Sequence, residues 1–389
     1  MKLAPDVRRP GSRNPRGMLT RQGLAQIIED GEVVADDLST LTQAVLSRKQ
    51  WGVFVALTFS VLLLFFVSLS WSSVHIPLHQ IWAILLGGAV ERESWRTILI
   101  DIRLPRTITA MLVGVGLGLS GLQMQTLFRN PLASPFTLGV SAGAGLGVAV
   151  VVIVLPVTFG YGTFGGGLWD NLSTVSGAAL GAFFVLALML AIAVRVRDMT
   201  TVLLFGVVIG SLVSAVVTVL VFFADEQRTR EFVEWGFGSF HKVRWSEVPF
   251  FFAVIGVGTT MTLVATKSLN VLLLGENYAR SMGLNIPRAR LGIMTSAAIM
   301  SGAIVAYAGP IGFLGIAIPH LARGLLGTSN HRVLVPASLF IGMAIALACG
   351  LLAELPGHTL FLPINAATSL FGAPVALWVL SRARRGEWV

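Results

Sequence analysis

Thr107–Phe128 reads TITAMLVGVGLGLSGLQMQTLF, 22 residues without one Asp, Glu, Lys or Arg, bounded by Arg103 and Arg106 on one side and Arg129 on the other. About 20 predominantly apolar residues are what a helix needs to cross the ~30 Å hydrocarbon core of a bilayer. Runs of the same kind recur at Trp51–Trp71, Phe136–Val157, Leu172–Val194, Val202–Ala224, Val248–Thr266, Leu291–Tyr307, Val333–Leu352 and Ala366–Leu380, with a shorter one at Ile311–Leu321. The chain therefore reads as an all-α membrane protein with about ten crossings, the short eighth run being a half-span. Composition agrees. Of 389 residues, 54% are hydrophobic and 12% charged, against ~25% charged in a soluble domain, and the mean hydropathy is +0.79. These values exclude a soluble globular enzyme and a disordered chain, and they give the basic pI a source other than nucleic-acid binding.

The charges are unevenly placed. Residues 1–50 hold eight of the 28 Lys/Arg and six of the 19 Asp/Glu, which sets off a polar N-terminal extension (1–50) from a transmembrane domain (51–385). The extension has a short helical pattern over Leu19–Leu46, with Leu24, Ile27 and Ile28 as its apolar stripe. About 50 polar residues before the first apolar run do not read as a secretory signal. With ten crossings both termini lie on one side. Placing them in the cytoplasm puts 20 of the 28 Lys/Arg inside, along with 9 of the 19 acids, as the positive-inside rule requires. The basic excess is thus a topology signal.

What the spans lack narrows the function. Ion-coupled carriers need an intramembrane carboxylate or charged relay, and the runs at 107–128, 136–157, 202–224 and 366–380 contain no ionisable acid or base. An ion-coupled secondary carrier of a small solute is the alternative kept beside an ATP-driven one. There is no Gly-x-x-x-x-Gly-Lys-Ser/Thr loop for nucleotide phosphates, so ATP drives transport only through a separate polypeptide. One cysteine, Cys349, and six scattered histidines make no metal site. The glycines Gly114, Gly116, Gly118 and Gly121, and the Gly-x-x-x-Gly steps Gly139, Gly143 and Gly147, read as close helix packing in lipid. A face lining a pathway for a bulky solute is the second reading.

A series of motifs follows in order: Arg103-Leu104-Pro105-Arg106; Arg129-Asn130-Pro131-Leu132-Ala133-Ser134-Pro135; Leu138-Gly139-Val140-Ser141-Ala142-Gly143; Leu274-Gly275-Glu276 with Ala279-Arg280 and Met282-Gly283-Leu284; Ala308-Gly309-Pro310-Ile311-Gly312-Phe313; Ile318-Pro319-His320-Leu321-Ala322-Arg323; and Gly372-Ala373-Pro374. Together they resemble the FecCD-type permeases, the membrane subunits of ATP-binding-cassette importers for ferric siderophores, haem, cobalamin and related metal chelates. The resemblance covers about residues 51–385. It implies the type II importer fold of ten helices per subunit, with both termini inside a multi-pass protein of the cytoplasmic (inner) membrane. The implied partners are a second permease subunit in a homo- or heterodimer, two ATP-binding subunits, a substrate-binding protein and membrane lipid, with no nucleic acid. No cofactor is expected in this chain, ATP and Mg²⁺ belonging to the ATPase subunits, and no enzymatic step is expected of it. A weak internal echo accompanies the series: Pro105-Arg106 and Pro287-Arg288 each precede a Ser-Gly pair, Ser120-Gly121 and Ser301-Gly302, as in an inverted repeat.

The resemblance also assigns roles. Arg103 and Arg106 fall at the external mouth and meet acids on the binding protein. They also read as interfacial cations or partners of Asp101. Where a further docking arginine is expected near the ninth span this chain has Glu354, and Gly350 stands where the family often has Asp. Glu276, Ala279, Arg280 and Gly283 match the helix that couples the permease to the ATPase, on a segment that otherwise reads as a basic loop. Thr200 and Thr201 fall at the family's cytoplasmic gate or cap the fifth span. Trp235, in the external stretch FVEWGFGSF (232–240), lies at the periplasmic entrance or at the headgroup level. His320 matches a structural Pro-His-x-x-Arg element.

Overall fold

A computed structural model describes residues 47–72, 74–159, 168–196, 198–354 and 362–383. Residues 1–46, with the proposed helix over Leu19–Leu46, lie outside the described residues. Eight helices are long and apolar enough to cross a membrane. They are α1 (Arg48–Ser70), the run Glu93–Phe128 that ends in α4 (Leu104–Phe128), the run Val140–Thr158 that begins with α5 (Val140–Ala149), α7 (Leu168–Arg195), α8 (Met199–Phe222), α10 (Val248–Leu273), α12 (Ile286–Ala308) and α14 (His331–Ala353). Two shorter apolar helices, α13 (Leu314–Leu326) and α15 (Ile364–Ala383), complete the ten expected positions. The remaining helices are α2 (Leu78–Leu85), α3 (Glu93–Thr97), α6 (Leu155–Phe159), α9 (Glu226–Gly236) and α11 (Glu276–Ser281).

The alternation of sides has independent support in the polar contacts. Among the described residues, several that join distant loops connect ends expected on the same face. On the external side Arg106 pairs with Glu354, Trp245 Nε1 donates to the Ile100 carbonyl and Ser239 N to the Ala308 carbonyl. On the cytoplasmic side Arg129 donates to the Leu273 carbonyl, Arg323 to Gln125 Oε1, and Asn270 to Asn330. The second span begins earlier than its charge pattern indicates. Helix continues from Glu93 through a wide π-turn at Ile98–Arg103, and the Arg103 guanidinium donates to the carbonyls of Leu69, Ser70 and Val74. Those bonds let a charged residue stay inside a helical run.

α4 is the hub, packed against α10, α12, α13 and α14. Its glycines are what admit those neighbours. A Cβ on Gly114 or Gly121 would fall within the carbonyl of Gly342 on α14 or of Gly315 on α13. Gly143 and Gly147 of α5 cross Gly181 and Gly177 of α7 in the same way, so both glycine series pack backbones together, the first of their two readings. Polar pins supplement them at membrane depth. Gln123 Nε2 donates to Thr262 Oγ1 at 2.5 Å and to Ser296 Oγ at 3.0 Å, tying α4 to α10 and α12. The internal echo has a structural counterpart. Pro105 and Pro287 sit in the first turns of α4 and α12, and Ser120 and Ser301 each donate to the carbonyl three residues earlier, at 3.3 and 3.2 Å.

Candidate transport pathway and coupling surface

Two interruptions of helix meet at membrane depth. After Arg129, whose φ of 48° closes α4, the chain turns back through a single 3-10 turn at Pro135–Leu138 and starts α5 at Gly139, φ 78°. The second break is Gly309–Phe313, between α12 and α13. α13 has 13 residues, hence ~20 Å of rise, so it starts well inside the ~30 Å core. The Pro135 ring packs on Gly315, and Phe313, with φ of 65°, sits against Gly372 of the Gly372-Ala373-Pro374 motif. Between the breaks lies an open recess of about 510 Å³ lined by Phe136, Ser141, Ile311, Phe313, Asn365 and Ser369 among others, none of the described lining residues being ionisable. Asn365 braces it: its Oδ1 accepts from Gly312 N at 3.1 Å and its own N–H donates to the Phe237 carbonyl. Irregular backbone is tolerated at this depth where it lines a cavity. The Gly139–Gly143 stretch has the Gly-x-Ser-x-Gly spacing of a nucleophile elbow. Ser141 lies in the first turn of α5, and the two glycines of the stretch meet neighbouring helices, Gly139 against Gly206 and Gly143 against Gly181.

On the cytoplasmic side, α11 is bracketed by two glycines in left-handed conformations, Gly275 (φ 106°) and Gly283 (φ 82°), which turn the chain sharply at both ends. Of the four coupling residues, Ala279 is fully buried, Glu276 pairs with Arg290 in the first turns of α12, Gly283 makes the exit turn and Arg280 is exposed. The apolar residues Leu274, Tyr278 and Met282, which flank and lie within α11, are each about half exposed. The same surface takes in the expected gate. A groove of about 800 Å³ is lined by Arg129, Asp198, Thr200, Gly275, Tyr278 and Arg290 among others. Asp198 caps α8, accepting from Thr201 N at 2.8 Å and Thr201 Oγ1 at 2.7 Å. Those bonds hold its carboxyl below the usual carboxylate range, the Thr201 hydroxyl contributing most. Thr201 is thus engaged as a cap, while Thr200 faces the groove.

The external side differs from expectation. Arg103 and Arg106 are 2% and 5% exposed, so neither guanidinium is presented to a docking partner in this conformation. Arg103 is held by the three carbonyls above. Arg106 Nη1 lies 2.6 Å from Glu354 Oε1, so its partner is Glu354 rather than Asp101. The physical reason is the acid at 354. A buried guanidinium needs a counter-charge, and the position where the resemblance leads one to expect a further arginine supplies it. His241 Nε2 stands 3.7 Å from the same carboxylate, and its pKa is pushed down to about 4, by burial first and then by Arg106. The other departure is steric: Gly350 lies against the Phe240 ring. Trp235 is buried on α9 rather than at an open mouth, and it lines a cavity of about 230 Å³ with Glu231, Glu234, Lys242 and Glu247. His320 Nε2 lies 2.8 Å from the Pro131 carbonyl, a structural contact between α13 and the turn after α4.

Sequence reasoning missed Phe313, Asn365 and Ser369 as cavity residues, and Arg290 as the partner of Glu276. For Phe313 a signal existed in Gly309-Pro310 and Gly312, helix breakers inside an apolar region. Asn365, one of few amides in the spans, had none beyond its polarity.

With this geometry in place the chain can be set beside known proteins. Residues 60–382 match the FecCD transport family, and the chain belongs to that family of membrane permeases. It is 38% identical over 285 residues to the vitamin B12 import system permease protein BtuC of Klebsiella pneumoniae, covering 73% of this chain and 82% of the relative. It is 33% identical over 301 residues to the hemin transport system permease protein HmuU of Yersinia pestis, covering 77% and 87%. Among solved structures it is similar to a metal-chelate type ABC transporter in an inward-facing conformation, with a TM-score of 0.73 and 27% identity, over 85% of this chain and 99% of the other.

Proposed function

We propose that this chain is the permease subunit of an ATP-binding-cassette importer that moves a metal chelate, of the iron-siderophore, haem or cobalamin kind, inward across the cytoplasmic membrane. Two such subunits, alike or unlike, enclose the path. Two ATPase subunits, which hold ATP and Mg²⁺, drive it from below, and a binding protein delivers solute from outside. This subunit performs no chemical step of its own.

The observation that carries the reading is the α11 surface. Leu274, Tyr278 and Met282 are apolar groups left exposed on the cytoplasmic side, as is Arg280, on a segment fixed by Ala279 and by the Glu276–Arg290 pair. Exposed apolar residues rimmed by charge mark a protein contact, and the pairing to α12 gives motion there a route into the helix that ends at the Gly309–Phe313 break. The uncharged cavity suits a bulky solute carried without ion coupling. α8, whose apolar surface is largely uncovered, supports a second subunit on that face. The complex in proteoliposomes should take up chelate only with ATP on the ATPase side. Uptake driven by an imposed proton or sodium gradient without ATP would establish the secondary carrier instead.

A further inference from the structure

A second groove, of about 670 Å³, runs along the outer faces of α10 and α12. Ala253, Gly256, Val257, Thr260, Met261 and Val264 build one wall, and Gly292 and Ile293 part of the other. Its surface is apolar in effect, since the Thr260 hydroxyl is turned back onto the Gly256 carbonyl at 2.9 Å. Glycine here does not permit helix contact: a Cβ on Gly256 or Gly292 would meet nothing within 4 Å. The missing side chains therefore open space on the molecule's outside.

One end of the groove is charged and the other is not. At the cytoplasmic end the lining ends in Arg288 and Ser268, and the exposed Lys267 adjoins Ser268. Among the described residues no carboxylate pairs with either cation. Two arginines in the first turns of α12 thus part company, Arg290 turning inward to Glu276 and Arg288 outward to the groove. From Ser268 to Ala253, α10 rises ~22 Å, more than the ~15 Å of one leaflet's hydrocarbon. Basic pockets between transmembrane helices on the cytoplasmic side suit anionic headgroups, and each Lys or Arg near the surface adds ~1 kcal/mol of attraction, about fivefold in affinity.

We infer that this groove is a binding site for an anionic phospholipid of the cytoplasmic leaflet. Its phosphate lies between Arg288 and Lys267, and one acyl chain lies over Gly256 and Gly292. The inference does not depend on the solute carried. The test uses the full-length protein in phosphatidylcholine nanodiscs, titrated with phosphatidylglycerol and read by native mass spectrometry. Phosphatidylglycerol should be retained over phosphatidylcholine, and Arg288→Ala should weaken it about fivefold. Gly256→Leu with Gly292→Leu, which fill open space, should abolish retention while leaving the thermal midpoint in place. Unchanged retention in Arg288→Ala or in the filled groove overturns the site. So does displacement by millimolar inorganic phosphate, which would make it an anion site, or a change of oligomeric state in the filled variant, which would make it a protein interface.

Discussion

α4 and α8 are both apolar and long enough to span, yet the spanning window of α4 is 89% buried within the chain and that of α8 only 11%. Hydropathy does not explain this, because α8 is the more apolar of the two. The difference lies in what interrupts the apolar surface. α4 carries four glycines and the amides Gln123 and Gln125, and every one of them meets a neighbouring helix. α8 meets its neighbours through Met199, Val202 and Gly206, with Gly206 and Gly210 facing the turn at Thr137–Gly139, and shows large side chains elsewhere. In lipid, where apolar surface gains nothing by leaving the solvent, small and polar residues decide which helix becomes the hub. The chain therefore has a scaffold around α4 and a peripheral α8 that reaches the coupling surface through Asp198 and Thr200.

The comparison can be broken most severely at the glycines. Gly114→Leu or Gly121→Leu should cost more than ~5 kcal/mol, beyond the tail of ordinary substitutions, and leave no monodisperse protein on size-exclusion chromatography. Gly210→Ala on α8, whose new Cβ would lie 3.4 Å from Gly139 Cα, should fold normally. Next is the external anchor of α4. Arg106→Ala or Glu354→Ala leaves a buried charge unpaired and should cost ~3–5 kcal/mol, read as a lowered thermal midpoint, whereas Arg106→Met with Glu354→Leu should recover most of it. A loss in the double variant equal to the sum of the two single losses would mean the pair does not act as a unit. Gln123→Leu removes the polar pin at ~1 kcal/mol. Asp198→Ala should raise hydrogen exchange only in the first turn of α8.

All ten helix positions were legible in the sequence, because apolar length is a local property that needs no partner. The half-span was legible too, since Gly309-Pro310 and Gly312 break helix wherever they stand. The end of the coupling segment was legible in Gly283, though its pairing with Arg290 was not. Pairings across the fold leave no local mark. Nothing around Arg106 announces Glu354, and the family pattern pointed outward, to docking. The hint was the acid at 354 itself, where an arginine was expected. The left-handed turn at Arg129 was equally hidden, because Gly or Asn, the residues that mark such a turn, is absent there.

The central claim is that α11 transmits ATPase work into this chain, and it is tested most directly with Glu276→Ala plus Arg280→Ala in the reconstituted complex, measuring ATP hydrolysis and chelate uptake together. Hydrolysis should persist while uptake falls to background. Uptake at the unaltered level in that double variant would contradict the account.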